Sequence, residues 1–445
     1  MLRISWVVPV VVAGLGVGAA GVGAAPAPTP GWPSCVARTS AIRTGITQTA
    51  RTSTGRLVTL TLRSKAMQGQ QKVNVLLPAG YDAKGRRRYP VLYLLHGAGG
   101  SYADWAQHDV AQLVGDLPVI VVMPDGGSDG GYSDWVAAEP GRSPFPAYES
   151  YDIGELVPFV DAHFNTQADG AGRAIAGLSM GGHGAMKYAA EYPGMFGYAG
   201  AFSGAVDPEL PIYQAFIKQC TWGDPAIDGV VWRDNNPTGL AANLRGVRLF
   251  GRTGNGKAGP FDTAGQADDP VETVVGQMNV AFKAALDAAH VPIDFRQGTG
   301  THTWPYWKRD LSEYVTWLRA QLKRPVTTPA TFSVQSAHRA FTAWGWSFTT
   351  QRAVREFTYL NAVGSSGLRA TGSGTLTATT PPTYTPSKAY KITIGTRKRA
   401  VRADARGRLT FAIGLGPSHT AQQTAFGAAA IKSWRTARVR IAAAS

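Results

Sequence analysis

Between Arg56 and Arg324 two kinds of apolar pattern take turns along the chain. Short runs rich in Val, Ile and Leu recur: LVTLTL, KVNVLLP, PVLYLLH, LPVIVVMP, RAIAGLS, YAGAFSG, VRLFGR and PIDFRQG. Several are apolar throughout, as strands covered on both faces of a parallel sheet must be. Other stretches, such as YDIGELVPFVDAHF, HGAMKYAAEYP and VETVVGQMNVAFKAALDAA, space their apolar residues three and four apart, as on one face of a helix. The first runs have no helix between them. The sheet is therefore expected to open antiparallel and continue mostly parallel, in an α/β domain over residues 56–324.

A Pro- and Thr-rich linker, residues 325–331, ends that pattern. Beyond it, residues 332–445 read as short alternating runs (FTYLNAV, GSGTLTATT, AYKITIG, LTFAIGLG, ARVRIAA) broken by Gly, Ser and Pro. That spacing predicts a small all-β domain of sandwich type. Trp344 and Trp346 in AWGWSF fit its core better than a carbohydrate platform.

At the other end, residues 1–25 run from a single Arg through an apolar stretch to small residues, the make-up of a signal peptide. An uncleaved anchor is the alternative, since Trp6 to Ala25 is nearly long enough to span a bilayer. Residues 26–55 are read as a Pro/Thr-rich segment ahead of the first domain. Secretion or attachment to the cell envelope follows from this reading. Cys35 and Cys220, an even pair beyond the leader, would form one disulfide in an oxidising compartment, with two buried thiols as the alternative.

Charge separates the two domains. The net charge is +15. From Pro325 onward, sixteen Lys and Arg face only Glu356 and Asp404. So basic a module is a candidate for anionic envelope polymer, with a merely solvated surface as the alternative. Export makes nucleic acid an unexpected partner.

The chemistry concentrates in three loops. In RAIAGLSMGGHGAM a strand runs through Gly177-Leu178-Ser179-Met180-Gly181 into a helix, the strand–turn–helix setting of a nucleophile elbow. Such a turn presents Ser179 above the sheet and aims the Met180 amide at a developing oxyanion. His183, one turn further, is expected to be structural. YLLHGAGG ends a buried strand in a glycine-rich turn, where the Ala98 amide would be the second oxyanion donor. GTHTWPYW follows the last strand and carries His302, the candidate base. The chain order Ser, acid, His leaves Asp262, Asp268, Asp269 and Glu272 open as the acid. PDGGSDGGYSDW lacks calcium-loop spacing, and GRTGNG opens no dinucleotide-binding helix. No cofactor and no metal are expected.

From about Lys72 to Leu318 the chain resembles the antigen 85 mycolyltransferases and the esterase D-like, family-1 carbohydrate esterases. The stretches that carry the likeness are MPDGG with YSDW (Met123 to Trp135), GLSMGG, WRDNNPT (Trp232 to Thr238), GNG (Gly254 to Gly256), DPVE and GTHTWPYW. The resemblance implies an α/β-hydrolase fold and a serine ester hydrolase or acyltransferase. In the mycolyltransferase branch the acid is a glutamate at the start of the helix after the GNG loop, which falls on Glu272. Asp269 is the alternative acid. Esterase D-like members use an aspartate nearer the strand end, where this chain has Gly254, Asn255 and Gly256. His96 and Gly99 stand where mycolyltransferases carry Asp and Arg, which leans the reading toward esterases and makes acyl transfer to trehalose or another wall sugar the alternative. A rival of another class is a non-catalytic envelope-binding protein on a degenerate hydrolase scaffold.

Overall fold

In this computed structural model the described residues are 35–138, 140–141, 145–211, 220–324, 326–420 and 434–444, so the expected leader lies outside them. All eight apolar runs become strands of one nine-stranded sheet. In chain order its strands are β1 (Ile46–Thr54), β2 (Leu57–Ser64), β3 (Gly69–Leu76), β4 (Val91–Leu95), β5 (Ile120–Pro124), β6 (Arg173–Leu178), β7 (Tyr198–Phe202), β8 (Arg248–Thr253) and β9 (Ile293–Gln297). Across the sheet they run β9-β8-β7-β6-β4-β5-β3-β2-β1. From β5 to β9 neighbours are parallel, while β1, β2 and β3 pair antiparallel and β3 joins β5 antiparallel. With the helices on both faces, this is an α/β-hydrolase fold.

Strand β1 corrects the expected start of the domain at Arg56. ITQTARTST has no apolar alternation, and its residues are mostly exposed. It is an edge strand, held by its ladder to β2 rather than by burial. The segment before it also joins the body: Val36 and Ala37 pair with Ala138 and Ala137, and Cys35 is disulfide-bonded to Cys220.

Each face of the sheet is closed by helices, and the apolar spacing of those on the first face was readable in advance. On one side α1 (Val157–His163), α2 (Met180–Glu191) and α3 (Pro270–Ala288) cover Val73, Val75, Tyr93, Leu95 and Ile175. On the other, α4 (Trp304–Leu322) buries Trp307, Leu311, Tyr314, Val315 and Leu318 against Leu92, Leu94, Ala176 and Phe250. That spacing of four, three, one and three residues is a single helical face.

Past the linker, two antiparallel sheets enclose a separate core. Strands are β10 (Thr331–Ser336), β11 (Ala340–Ala343), β12 (Trp346–Gln351), β13 (Thr358–Gly364), β14 (Gly367–Gly372), β15 (Thr375–Thr379), β16 (Ala389–Ile394), β17 (Arg397–Arg402), β18 (Thr410–Gly414) and β19 (Arg435–Ala443). One sheet has the order β10-β13-β14-β19-β16-β17, the other β11-β12-β15-β18. Leu360, Leu368, Ile392 and Val439 of the first meet Phe348, Leu376, Phe411 and Ile413 of the second. Trp346 is buried in this core, and Trp344 packs over Gly194 and Gly246 of the first domain, so neither tryptophan forms a platform.

The two domains are bonded as well as packed. Asn243 Nδ2 donates to the Gln335 carbonyl at 2.8 Å and its Oδ1 accepts the Gln335 amide at 2.9 Å. Asp234 Oδ1 accepts the Ala337 amide at 2.9 Å. Among the described residues no helix is long and apolar enough to cross a membrane.

Candidate active site

Parallel pairing of β4, β6, β7, β8 and β9 brings their carboxyl ends to one edge of the sheet, where open α/β sheets place their sites. Leu95 on β4 stands opposite Gly177 on β6, and Leu178 opposite Phe202 on β7. The loops that leave these strands therefore begin side by side.

Ser179 turns sharply from β6 into α2 with φ 52° and ψ −118°, a conformation a non-glycine residue adopts only under local constraint. The turn closes because its neighbours lack side chains. A Cβ on Gly177 would lie 2.5 Å from the Gly181 carbonyl, and one on Gly181 would lie 2.5 Å from the Leu95 carbonyl oxygen. Met180, the first helical residue, has an amide with no intrahelical acceptor.

The glycine-rich turn after β4 passes directly over the serine: a Cβ on Gly97 would sit 3.3 Å from Ser179 Cβ. Its shape is held by polar contacts that sequence reasoning did not find. The His96 ring accepts the Gly126 amide on Nε2 at 2.8 Å, so it carries its proton on Nδ1, 2.8 Å from the Gly97 carbonyl. Tyr132 donates its hydroxyl to the His96 carbonyl at 3.0 Å, and the Gly99 amide donates to the Ser128 carbonyl at 2.7 Å. Among the described residues the Ala98 amide has no acceptor.

His302 and Glu272 complete a line of hydrogen bonds. His302 Nε2 lies 2.9 Å from Ser179 Oγ, and His302 Nδ1 lies 2.6 Å from Glu272 Oε2. Glu272 is fully buried, and its other oxygen accepts from the Ser203 hydroxyl at 2.7 Å, the Thr253 hydroxyl at 3.1 Å and the Gly254 amide. A buried carboxylate needs such donors to replace its lost hydration. Ser203 was missed, although the polar end of YAGAFSG, beside the elbow strand, was a signal for it.

The other acids of this region separate cleanly. Asp269 is the N-cap of α3: its Oδ1 accepts the Val271 amide at 2.9 Å and the Glu272 amide at 3.2 Å. Asp268 is exposed and paired with Lys257. Burial opposes ionisation of Asp262, but bonds from Tyr306, Thr301 and the Gly259 amide outweigh it and hold its carboxyl below the usual range.

The His183 ring makes no hydrogen bond to Ser179, although its amide donates to the Ser179 carbonyl at 3.1 Å. Burial first, and then the Lys187 charge, depress its pKa to about 3, and it packs against Trp222 at 5.5 Å between centroids. Glu149, Glu191 and His338 form the grouping among the described residues whose donors could hold a metal. Its centre already holds a cation: Lys187 Nζ lies 2.5 Å from Glu149 and 2.8 Å from Glu191.

A family model described as putative esterase matches residues 64–318. The chain belongs to this esterase family. Over 264 residues it is 35% identical to the esterase Rv1288 of Mycobacterium tuberculosis strain H37Rv, the match covering 56% of each chain. It is 30% identical over 276 residues to the diacylglycerol acyltransferase/mycolyltransferase Ag85A of Mycobacterium ulcerans, across 57% of this chain and 79% of that one. Among solved structures a ferulic acid esterase aligns at 27% identity with a TM-score of 0.46, over 59% of this chain and 98% of the other. The chain spans about half the length of Rv1288. Residues 64–318 are thus an esterase-family domain with an α/β-hydrolase fold.

Proposed function

We propose that the protein is an exported carboxylic-ester hydrolase that works through an acyl-enzyme on Ser179. The observation that carries this reading is the unbroken line from Ser179 Oγ through His302 to buried Glu272, at 2.9 and 2.6 Å. Glu272 holds the imidazole with its proton on Nδ1, which leaves Nε2 free to accept the serine proton. Ser179 Oγ then attacks the ester carbonyl, and His302 becomes an imidazolium beside the carboxylate. The Ala98 and Met180 amides receive the oxyanion. As the tetrahedral adduct collapses, His302 returns the proton to the departing alkoxide, leaving the acyl group on Ser179. Water, deprotonated by the same imidazole, releases the acid.

A second reading, transfer of the acyl group to trehalose or a wall sugar, is supported by the likeness to Ag85A. The two share every step up to the acyl-enzyme. A panel of acyl esters assayed with and without trehalose separates them: free acid in both conditions is the expected result, whereas transferred ester outrunning free acid overturns hydrolysis in favour of transfer. Export is supported by the disulfide between Cys35 and Cys220, a bond kept in oxidising compartments. The basic C-terminal domain is proposed to hold the enzyme against anionic envelope polymer.

A further inference from the structure

The register of the six-stranded sheet sorts its cations. Leu368, Ala370, Val439, Ile441 and Ile392 point into the core between the sheets. Their neighbours along each strand point the other way. On that outer face Arg369 of β14 stands directly opposite Arg438 of β19. Arg440 of β19 and Lys398 of β17 flank Thr393 of β16 on its two sides, and Lys391 lies two residues further along. All five cations are exposed.

Among the described residues none of the five meets a carboxylate. The six strands contain no Asp or Glu. The two acids of the domain are used elsewhere: Glu356 is buried against His419 Nδ1 at 2.7 Å, and Asp404 pairs with Arg408 at 3.0 Å. Protection of an open sheet edge accounts for Lys398, because β17 is the last strand. It does not account for Arg369 and Arg438, which lie on interior strands where like charges placed directly opposite weaken the ladder. A surface that accepts this repulsion is matched to an anion it meets.

We propose that this face binds a linear phosphodiester polymer without bases, of the polyol-phosphate kind. The inference rests on the proposed role of the C-terminal domain above and locates it. Cations two residues apart on one strand are about 7 Å apart, and those on adjacent strands about 5 Å, which suits a chain with one charge per short repeat. Arginine forks match phosphate oxygens in pairs. Between the cations lie Thr371, Thr393, Thr436, Ala400 and Ala442; the aromatic residues Tyr359 and Trp434 stand beyond Thr371 and Thr436, their ring centroids 5.2 Å apart, and are packed against the first domain. Single-stranded nucleic acid needs such rings to stack its bases, and a lipid surface needs apolar side chains to insert. Neither stands free among the cations of this face.

The test uses the full chain on a sensor carrying poly(glycerol phosphate), with single-stranded DNA and phosphatidylglycerol vesicles as parallel arms. The expected result is salt-sensitive binding to the polymer, stronger than to DNA or vesicles, that falls at least tenfold in the double variant Arg369→Ala, Arg438→Ala. Arg406→Ala, on a turn off this face, should bind as wild type does, and all three proteins should hydrolyse a small soluble ester equally. Undiminished binding by the double variant overturns the face while leaving the basic-module reading intact. No polymer binding by the wild type overturns both. Preference for DNA or vesicles overturns the choice of polymer.

Discussion

Asp269 and His302 are joined through the backbone: Asp269 Oδ2 accepts the His302 amide at 2.8 Å, while its other oxygen caps the helix that carries Glu272. One carboxylate therefore ties the helix of Glu272 to the loop of His302. The 2.6 Å bond between Glu272 and His302 is held from both ends.

Two substitutions separate the roles of these neighbours. Glu272→Gln should lower kcat by about 10³- to 10⁴-fold with folding intact, because the amide no longer enforces the Nδ1 tautomer or stabilises the imidazolium. Asp269→Ala should cost about 1 kcal/mol of stability as a lost cap, and about tenfold in kcat as the His302 loop loosens. Steady-state kinetics with urea melts on both variants checks this. A larger kcat loss in the Asp269 variant would reverse the assignment of the acid.

Lys187 is a buried cation at the junction of the domains. It is fully buried between Glu149 and Glu191, and His338 of the C-terminal domain approaches Asp234 at 3.3 Å beside them. Burial opposes the lysine charge, but the two glutamates outweigh it and raise its pKa above the ordinary value. Lys187→Met should destabilise the protein by about 3–5 kcal/mol, since it leaves buried carboxylates without their partner. A urea midpoint within error of wild type would show that the cluster is solvated.

Asp310 gives the protein a pH-dependent stability term. Burial outweighs Arg309 and pushes its pKa from 3.8 up to about 6, and its Oδ2 has no hydrogen-bond partner. The folded state thus holds the proton more tightly than the unfolded chain. This contribution is complete below pH about 4, is lost as pH rises to about 6, and amounts to at most about 3 kcal/mol. Asp310→Asn should lack that loss, so the stability gap between variant and wild type should widen from pH 4 to 6 and stay level above. Urea melts at pH 4, 5, 6 and 7 would contradict this if the gap stays constant.

Residues whose roles follow from local geometry were legible in the chain. Runs such as VLYLL and IVVMP mark strands because burial on both faces leaves no room for polar alternation, and Ser179 announces itself by glycines that a tight turn requires. Strand β1 was not legible, since an exposed edge strand is held by backbone bonds that ITQTARTST does not advertise. Asp262, Asp268, Asp269 and Glu272 are equivalent by chain order, and only the packing of α3 turns Glu272 inward to His302. His96 and Tyr132 shape the turn over the serine from 36 residues apart in sequence, beyond any local pattern.

The account stands on Ser179 as a nucleophile activated by His302 and Glu272. Intact-mass measurement after treatment with a fluorophosphonate probe tests this most directly. Wild-type protein should gain one adduct, mapped by peptide digestion to Ser179; Ser179→Ala should gain none, and His302→Ala should react far more slowly. An unlabelled Ser179 in folded wild-type protein, or a His302→Ala variant labelled as fast as wild type, would contradict it.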